Sequence, residues 1–189
     1  LATNQLVTVH LAAGEFDDAQ QWAERAFEGG NADAGMLLVT VFEARGDEEA
    51  AERTLAEAAD RGSAVAALAL GQRAAESGDA TTATAWFEKA SALGNVDGEF
   101  HVGLLAHENG DTNAAIRHWE SAARRGSFAA MRSLGIEAEA AGEMDAARQW
   151  YERAIPLGSI DAMVSLGQLE YKDGNGDLSR TWFEKAARV

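Results

Sequence analysis

Four histidines, 31 acidic side chains and 19 glycines are the residues of this chain whose types and spacing could do chemistry. A metal-bound hydrolytic centre of the H-E-x-x-H kind needs two imidazoles one helical turn apart with a carboxylate between them. His10, His101, His107 and His118 do not supply it, because His107-Glu108 has no second His at that spacing. Cys is absent, which removes thiolate nucleophiles, disulfides and Cys-ligated metal centres. There is no G-x-S-x-G elbow to raise a serine nucleophile and no G-x-x-x-x-G-K-[ST] loop to cradle a phosphate. Close carboxylates such as Glu137 and Glu139 would act as general acid and base only in a pocket that drives their pKa values apart, and they are common on solvated helices. The expectation is a chain that is not an enzyme and carries no cofactor or metal.

The charge balance narrows the partners. Sixteen Lys and Arg stand against 31 Asp and Glu, a formal net charge of −15. Affinity for a phosphate backbone comes from neutralising it with cations, so nucleic acid is excluded and an anionic membrane surface is disfavoured. No apolar run approaches the roughly 20 residues of a spanning helix. The opening Leu1-Ala2-Thr3-Asn4-Gln5 lacks the basic stretch and apolar core of a leader. The chain reads as soluble; absence of Cys leaves the compartment open, with the cytoplasm slightly favoured.

The glycines explain themselves once they are aligned. Gly14, Gly46, Gly78, Gly110, Gly142 and Gly174 follow one another at 32 residues, and so do Gly30, Gly62, Gly94, Gly126 and Gly158. A fixed period of this size is the mark of a repeat architecture. Within each period the signals describe two helices. In residues 63–94, Ser63 suits an N-cap, Ala66, Leu70 and Ala74 recur at helical spacing, and Gly78 suits the left-handed residue that ends a helix. Asp79 starts a second helix with Ala83, Trp86, Phe87 and Ala90 on its apolar stripe, closed by Gly94. Asn31, Ser63, Asn95, Ser127 and Ser159 share the first cap position, and Asp47, Asp79 and Asp111 the second. The prediction is an all-α fold: a right-handed α-solenoid, or superhelix, of six helical hairpins. It forms a single repeat domain over 1–189, with repeats near 1–30, 31–62, 63–94, 95–126, 127–158 and 159–189.

Two positions of the repeat carry the packing argument. Gly71, Gly103, Gly135 and Gly167 lie inside first helices, where Gly costs roughly 1 kcal/mol relative to Ala. Close approach of the second helix, with its bulky aromatics, is the expected offset. Val7 and Val39 hold the position in the first two repeats, which predicts slightly wider hairpins there. Trp22, Trp86, Trp150 and Trp182 share one second-helix position, with Thr54 and His118 as exceptions, and read as a repeated core.

The runs Ala66 to Gly71, Ala130 to Gly135 and Ala162 to Gly167 (A-x-x-x-L-G) with Trp86 to Ala90 and Trp182 to Ala186 (W-F-E-K-A) carry a likeness. The chain resembles the Sel-one-like repeat family, a member of the tetratricopeptide (TPR) type of helical solenoid. It departs in a short Gly-Asp or Gly-Glu turn and in having Ala74, Ala106 and Ala138 where that family carries an aromatic. The resemblance implies a right-handed stack of hairpins serving as a platform for proteins or peptides.

In such a stack the first helices line the concave side. The positions expected to point there are Met36, Thr40, Leu68, Gln72, Phe100, Leu104, His107, Arg132, Ile136, Val164, Gln168 and Tyr171. Met36, Leu68, Phe100 and Val164 also suit packing between repeats; Leu104, Ile136 and Tyr171 are harder to explain that way. Glu43, Glu76, Glu108 and Glu139 stand just before the Gly that ends their first helix, where the helix dipole disfavours a carboxylate by roughly 0.3 to 1 kcal/mol. An acidic strip of this kind is expected to receive a basic amphipathic protein or peptide segment. The function expected is therefore a non-catalytic protein interaction scaffold. The alternative is a structural or regulatory segment of a larger protein that packs on its own missing domains or on a second copy. The repeat register breaks off at both ends, and Leu1 to Leu11 and Trp182 to Ala187 read as internal helices, so a longer parent or end-to-end self-association is expected.

Overall fold

A computed structural model describes residues 2–188, with side chains from residue 3; Leu1 and Val189, at the ends discussed above, lie outside the described residues. Those residues form twelve α-helices and no strand: α1 (Ala2–Ala13), α2 (Phe16–Glu28), α3 (Ala34–Arg45), α4 (Glu48–Asp60), α5 (Ala64–Glu76), α6 (Ala80–Ala92), α7 (Val96–Glu108), α8 (Thr112–Arg124), α9 (Phe128–Ala140), α10 (Met144–Ala154), α11 (Ile160–Lys172) and α12 (Gly176–Ala186). A 3-10 turn, Ile155–Leu157, follows α10 around the single Pro.

The helix ends lie where the glycine register places them. All eleven periodic glycines have φ between 75° and 100°, a region that costs Gly nothing and a residue with a Cβ a great deal. At Gly62, for example, the next N–H, that of Ser63, returns to the Ala58 carbonyl at 2.9 Å and closes the last turn of α4. Ser63, Ser127 and Ser159 then accept from the N–H of Ala66, Ala130 and Ala162, and Asp47, Asp79 and Asp111 from Ala50, Thr82 and Ala114. Two expected caps differ. α3 begins at Ala34, because Asn31, Ala32 and Asp33 form a tight turn whose carbonyls accept from Ala34, Gly35 and Met36. The Asn95 side chain accepts from Asp97, two residues on, which is an Asx turn and not a bond to the third helical residue.

The helices group into two compact units, residues 1–98 and 99–189. In the first, consecutive helices α1 to α6 pack as antiparallel hairpins, and the first helices also touch along the stack, α1 on α3 and α3 on α5. In the second, α8 to α12 pack consecutively and α9 touches α11. The core is built from small side chains that let backbones approach: Ala19, Ala23, Ala58, Ala66 and Ala90 are fully buried in the first unit, and Ala115, Ala122, Ala130, Ala147 and Ala162 in the second.

The bulky half of that core occupies a different position from the one expected. Phe87, Trp119 and Tyr151 are buried, at 1, 2 and 0% exposure, whereas Trp22, Trp86, Trp150 and Trp182 are half-buried or exposed. Helix geometry explains the correction. Adjacent residues are about 100° apart around a helix, so only one of the Trp-aromatic pair can face the first helix. The one that does is the second, and its ring fills the space left by Gly. A Cβ on Gly71 would lie 2.4 Å from Phe87, on Gly103 2.5 Å from Trp119 and on Gly135 2.3 Å from Tyr151. The Trp rings instead lie under a cation three residues on, Arg25 over Trp22, Lys89 over Trp86, Arg153 over Trp150 and Lys185 over Trp182, at 4.0 to 5.4 Å.

Candidate protein-binding face of the first helices

In the first unit the candidate face is built on α3 and α5. Met36 and Leu68 are half-buried, as residues shared between neighbouring helices would be, while Thr40 and Gln72, one turn further on, are exposed. Thr40 donates its hydroxyl to the Met36 carbonyl at 3.0 Å. Glu43 accepts from Arg73 at 2.8 Å across the α3–α5 contact. Glu76 is exposed and has no ion pair among the described residues.

In the second unit, α7 from residue 99 onward, α9 and α11 carry the same positions. Phe100, Leu104, Arg132 and Val164 are half-buried; Ile136 and Gln168 are exposed, and Tyr171 is 73% exposed. Arg132 donates to the Ser165 hydroxyl at 3.3 Å. His107 Nε2 is 3.1 Å from Glu137, so this imidazole bridges α7 to α9. Its partner lies 30 residues on, the same offset that joins Glu43 to Arg73, with the acidic member moved to the other helix.

Glu139 is the least free of the sixteen candidates. Its carboxylate accepts the Tyr151 hydroxyl at 2.6 Å and Lys172 at 2.8 Å, with the side chain 16% exposed. Burial, then the hydrogen bond to Glu139, pushes the Tyr151 phenol well above its ordinary value of 10. Two of the four carboxylates of the acidic strip thus already meet a cation from the next repeat, Arg73 or Lys172. Glu76 and Glu108, both exposed, are the two with no ion pair among the described residues.

The most tightly bonded polar group was not visible as a motif. Glu170, with its side chain 5% exposed, accepts from Arg148 Nε at 2.8 Å and from Asn175 at 2.7 Å. Arg148 reaches further to Asp173 at 2.7 Å and Asp145 at 3.1 Å. The Arg148 hydrogen bond, opposed by burial and helped by Asn175, holds Glu170 below its ordinary 4.5. A signal existed in the alignment of repeats: Glu170 falls on the position of Ala74, Ala106 and Ala138. Elsewhere, His118 lies 2.9 Å from Glu99, and His10 lies 2.7 Å from Glu15. His10, Glu15 and Asp18 bring one donor atom each within 4.8 Å of one another on an open surface, and the hydrogen bond between the first two accounts for the cluster.

Comparisons with known proteins agree with the fold. Two tetratricopeptide repeat models match the chain, one over residues 103–159 and the other over residues 1–25 and 64–89. No curated protein matches it. Among solved structures, a Sel1 repeat protein from Oxalobacter formigenes superposes with a TM-score of 0.73 at 26% identity, covering 89% of this chain and 75% of that one. A protective antigen of uropathogenic Escherichia coli with an SLR fold, c5321, gives 0.71 at 23%, covering 89% of this chain and 40% of that one. The Cut9–Hcn1 hetero-tetramer of the APC/C gives 0.63 at 16%, covering 97% and 39%. The fold and its neighbours define an all-α repeat solenoid. The chain is a tetratricopeptide/Sel1-like repeat protein. Proteins of this class are generally non-catalytic scaffolds for other proteins. None of the described helices is long and apolar enough to cross a membrane.

Proposed function

We propose that the protein is an interaction scaffold whose first-helix faces receive an extended or helical segment of another protein. The observation that carries this reading is a contrast within each repeat. Cap, glycine and buried alanine positions are held nearly constant, while the position one turn past the half-buried residue, itself half-buried at Leu104 and exposed in the other four repeats, varies through Thr40, Gln72, Leu104, Ile136 and Gln168. In the second unit that position is apolar twice, and Ile136 keeps 41% of its surface in water with Tyr171 exposed on α11. Apolar surface left in water at a fixed place is what a docking face offers.

The partner chemistry is a basic amphipathic segment. Net charge of −15 favours it at long range. At short range the carboxylate left to meet its cations is Glu76 on the face of the first unit and, taken separately, Glu108 on that of the second.

A photocrosslinking side chain at position 136 or 171 tests the reading, with position 152 on the exposed flank of α10 as control. Adducts to a basic segment are expected from 136 and 171 and not from 152, weakening as salt rises, because exposed charges are screened beyond about 10 Å at 0.1 M. Equal yield from all three positions would refute it. Glu76→Gln with Glu108→Gln is expected to lower association and leave helicity unchanged.

A further inference from the structure

A cavity of about 450 Å³ lies in the second unit between α8, the end of α9 and the start of α10. Its apolar wall is formed by Ile116, Leu134, Ala138 and Trp150; Glu120, Glu137 and Glu143 stand around it, and among the described residues no Lys or Arg lines it.

The repeat explains why the space exists. Moving every lining residue on by 32 turns Ile116 into Arg148, Ala138 into Glu170, Ala141 into Asp173 and Glu143 into Asn175. These four belong to the bonded cluster described above, which Asp145 completes. At the α10–α11 junction, an Arg with its aliphatic stem and a set of acceptors therefore fills the corresponding space. At the α8–α9 junction, Ile116 is shorter, both alanines leave room, and Glu143 has no ion pair among the described residues. Glu143 also stands at the cap position, where Asp47, Asp79 and Asp111 bond the helix start, yet its side chain makes no such bond. Glu137 has one internal partner, His107 at 3.1 Å.

We propose that this cavity is a binding site for an amphipathic organic cation, an aliphatic stem ending in a guanidinium or ammonium group. The stem lies along Ile116, Leu134 and Trp150, and the charge sits among Glu120, Glu137 and Glu143. The size falls within the range of small-ligand pockets, roughly 300 to 1,000 Å³. The cation comes either from a free diamine or polyamine or from a basic side chain on a peptide. The site shares α9 and the His107–Glu137 pair with the first-helix face, but none of the sixteen candidate positions lines it, so it does not depend on their role.

The test uses the full chain and two probes by titration calorimetry: agmatine, a free guanidinium–amine, and a capped tetrapeptide of alternating leucine and arginine. Ile116→Arg with Ala138→Glu builds the neighbouring junction's pair into the cavity, and is expected to weaken both probes by about tenfold or more, a change of 1.4 kcal/mol per decade. Glu120→Gln with Glu143→Gln, both at exposed positions, is expected to weaken them several-fold and flatten the salt dependence, with circular dichroism unchanged. Tighter binding of the tetrapeptide than of agmatine would assign the cation to a protein, and the reverse to a free amine. Failure of both probes to bind the unaltered chain at millimolar concentration overturns the proposal. So does unchanged binding after the cavity is filled, which would show only diffuse attraction to an acidic surface. Should the filled variant not fold, the double Gln variant decides on the same criterion: unchanged affinity overturns the site.

Discussion

The first two hairpins and the middle ones close the same gap in opposite ways. In α1/α2 and α3/α4 the first helix offers Val7 or Val39, and the register places Ala23 or Leu55 opposite, all of them buried. In α5/α6, α7/α8 and α9/α10 the first helix offers Gly71, Gly103 or Gly135 and the second fills the space with Phe87, Trp119 or Tyr151. From the second hairpin to the middle ones bulk moves across the facing pair, from Val39 with Leu55 to Gly with an aromatic, the kind of volume-conserving swap that densely packed interiors tolerate; the first pair, Val7 with Ala23, is smaller. The last hairpin follows the second pattern more loosely: a Cβ on Gly167 would come no closer than 3.0 Å to Phe183, which is 40% exposed.

The comparison is broken most severely by moving one member of a pair without the other. Gly135→Val would put a Cβ 2.3 Å from the Tyr151 ring, and a cost of about 3 kcal/mol or more is expected for overpacking a site that cannot give. Adding Tyr151→Leu recreates the pair found in α3/α4. The double variant is expected to be more stable than the sum of the singles by roughly 1 to 3 kcal/mol, a coupling read from a denaturation cycle. Strict additivity would show that volume exchange is not the rule. A second break separates the two aromatics of one helix. Phe87→Ala is expected to cost about 3 to 5 kcal/mol, the range for truncating a buried aromatic, and Trp86→Ala less than half of that. Comparable losses would return the Trp position to the core.

These two experiments also mark what was legible in the sequence. The period, both helix ends and the glycine that admits a close neighbour were all readable, because each rests on a local requirement: φ above zero, an orphan N–H, a missing Cβ. Which aromatic faces inward was not, since Trp86 and Phe87 are equally apolar and only the helix's rotation about its axis distinguishes them. The pairing of His107 with Glu137, or Glu139 with Lys172, joins residues about 30 apart whose bond depends on the stacking of successive repeats. The candidate face rests on the repeat register alone, as a set of positions. How many of its carboxylates are already occupied was not legible there.

A gentler comparison sets the α10–α11 junction against the others. Arg148→Ala leaves Glu170 buried with only Asn175, and about 3 kcal/mol is expected to be lost. The same pair gives the protein an acid-side dependence of known sign. Because the folded-state value of Glu170 lies below its ordinary 4.5, its contribution is fully present above 4.5 and is lost as pH falls through the folded value. The unfolding midpoint is expected to drop below pH 4.5, and to drop less in Glu170→Gln. Parallel pH profiles for the two chains would remove Glu170 from the account.

The smallest effect concerns the helix starts and runs in the stabilising direction. Asp47, Asp79 and Asp111 cap α4, α6 and α8, each accepting from the third helical N–H at 2.8 to 3.0 Å. Glu143 holds the same place before α10 and makes no such bond. The extra methylene is the physical difference: it carries the carboxylate past the N–H groups that a shorter Asp side chain reaches, so the first turn of α10 gains only the charge–dipole attraction. Glu143→Asp is therefore expected to raise stability, by up to about 1 kcal/mol at neutral pH, visible as a small upward shift in the unfolding midpoint. The same substitution draws a carboxylate back from the cavity beside Trp150, so weaker binding of agmatine should accompany the gain. A more stable variant that binds the cation as before would show that Glu143 is merely a poor cap. A variant no more stable than the parent would show that the other three caps owe their geometry to the repeat and not to the length of the side chain.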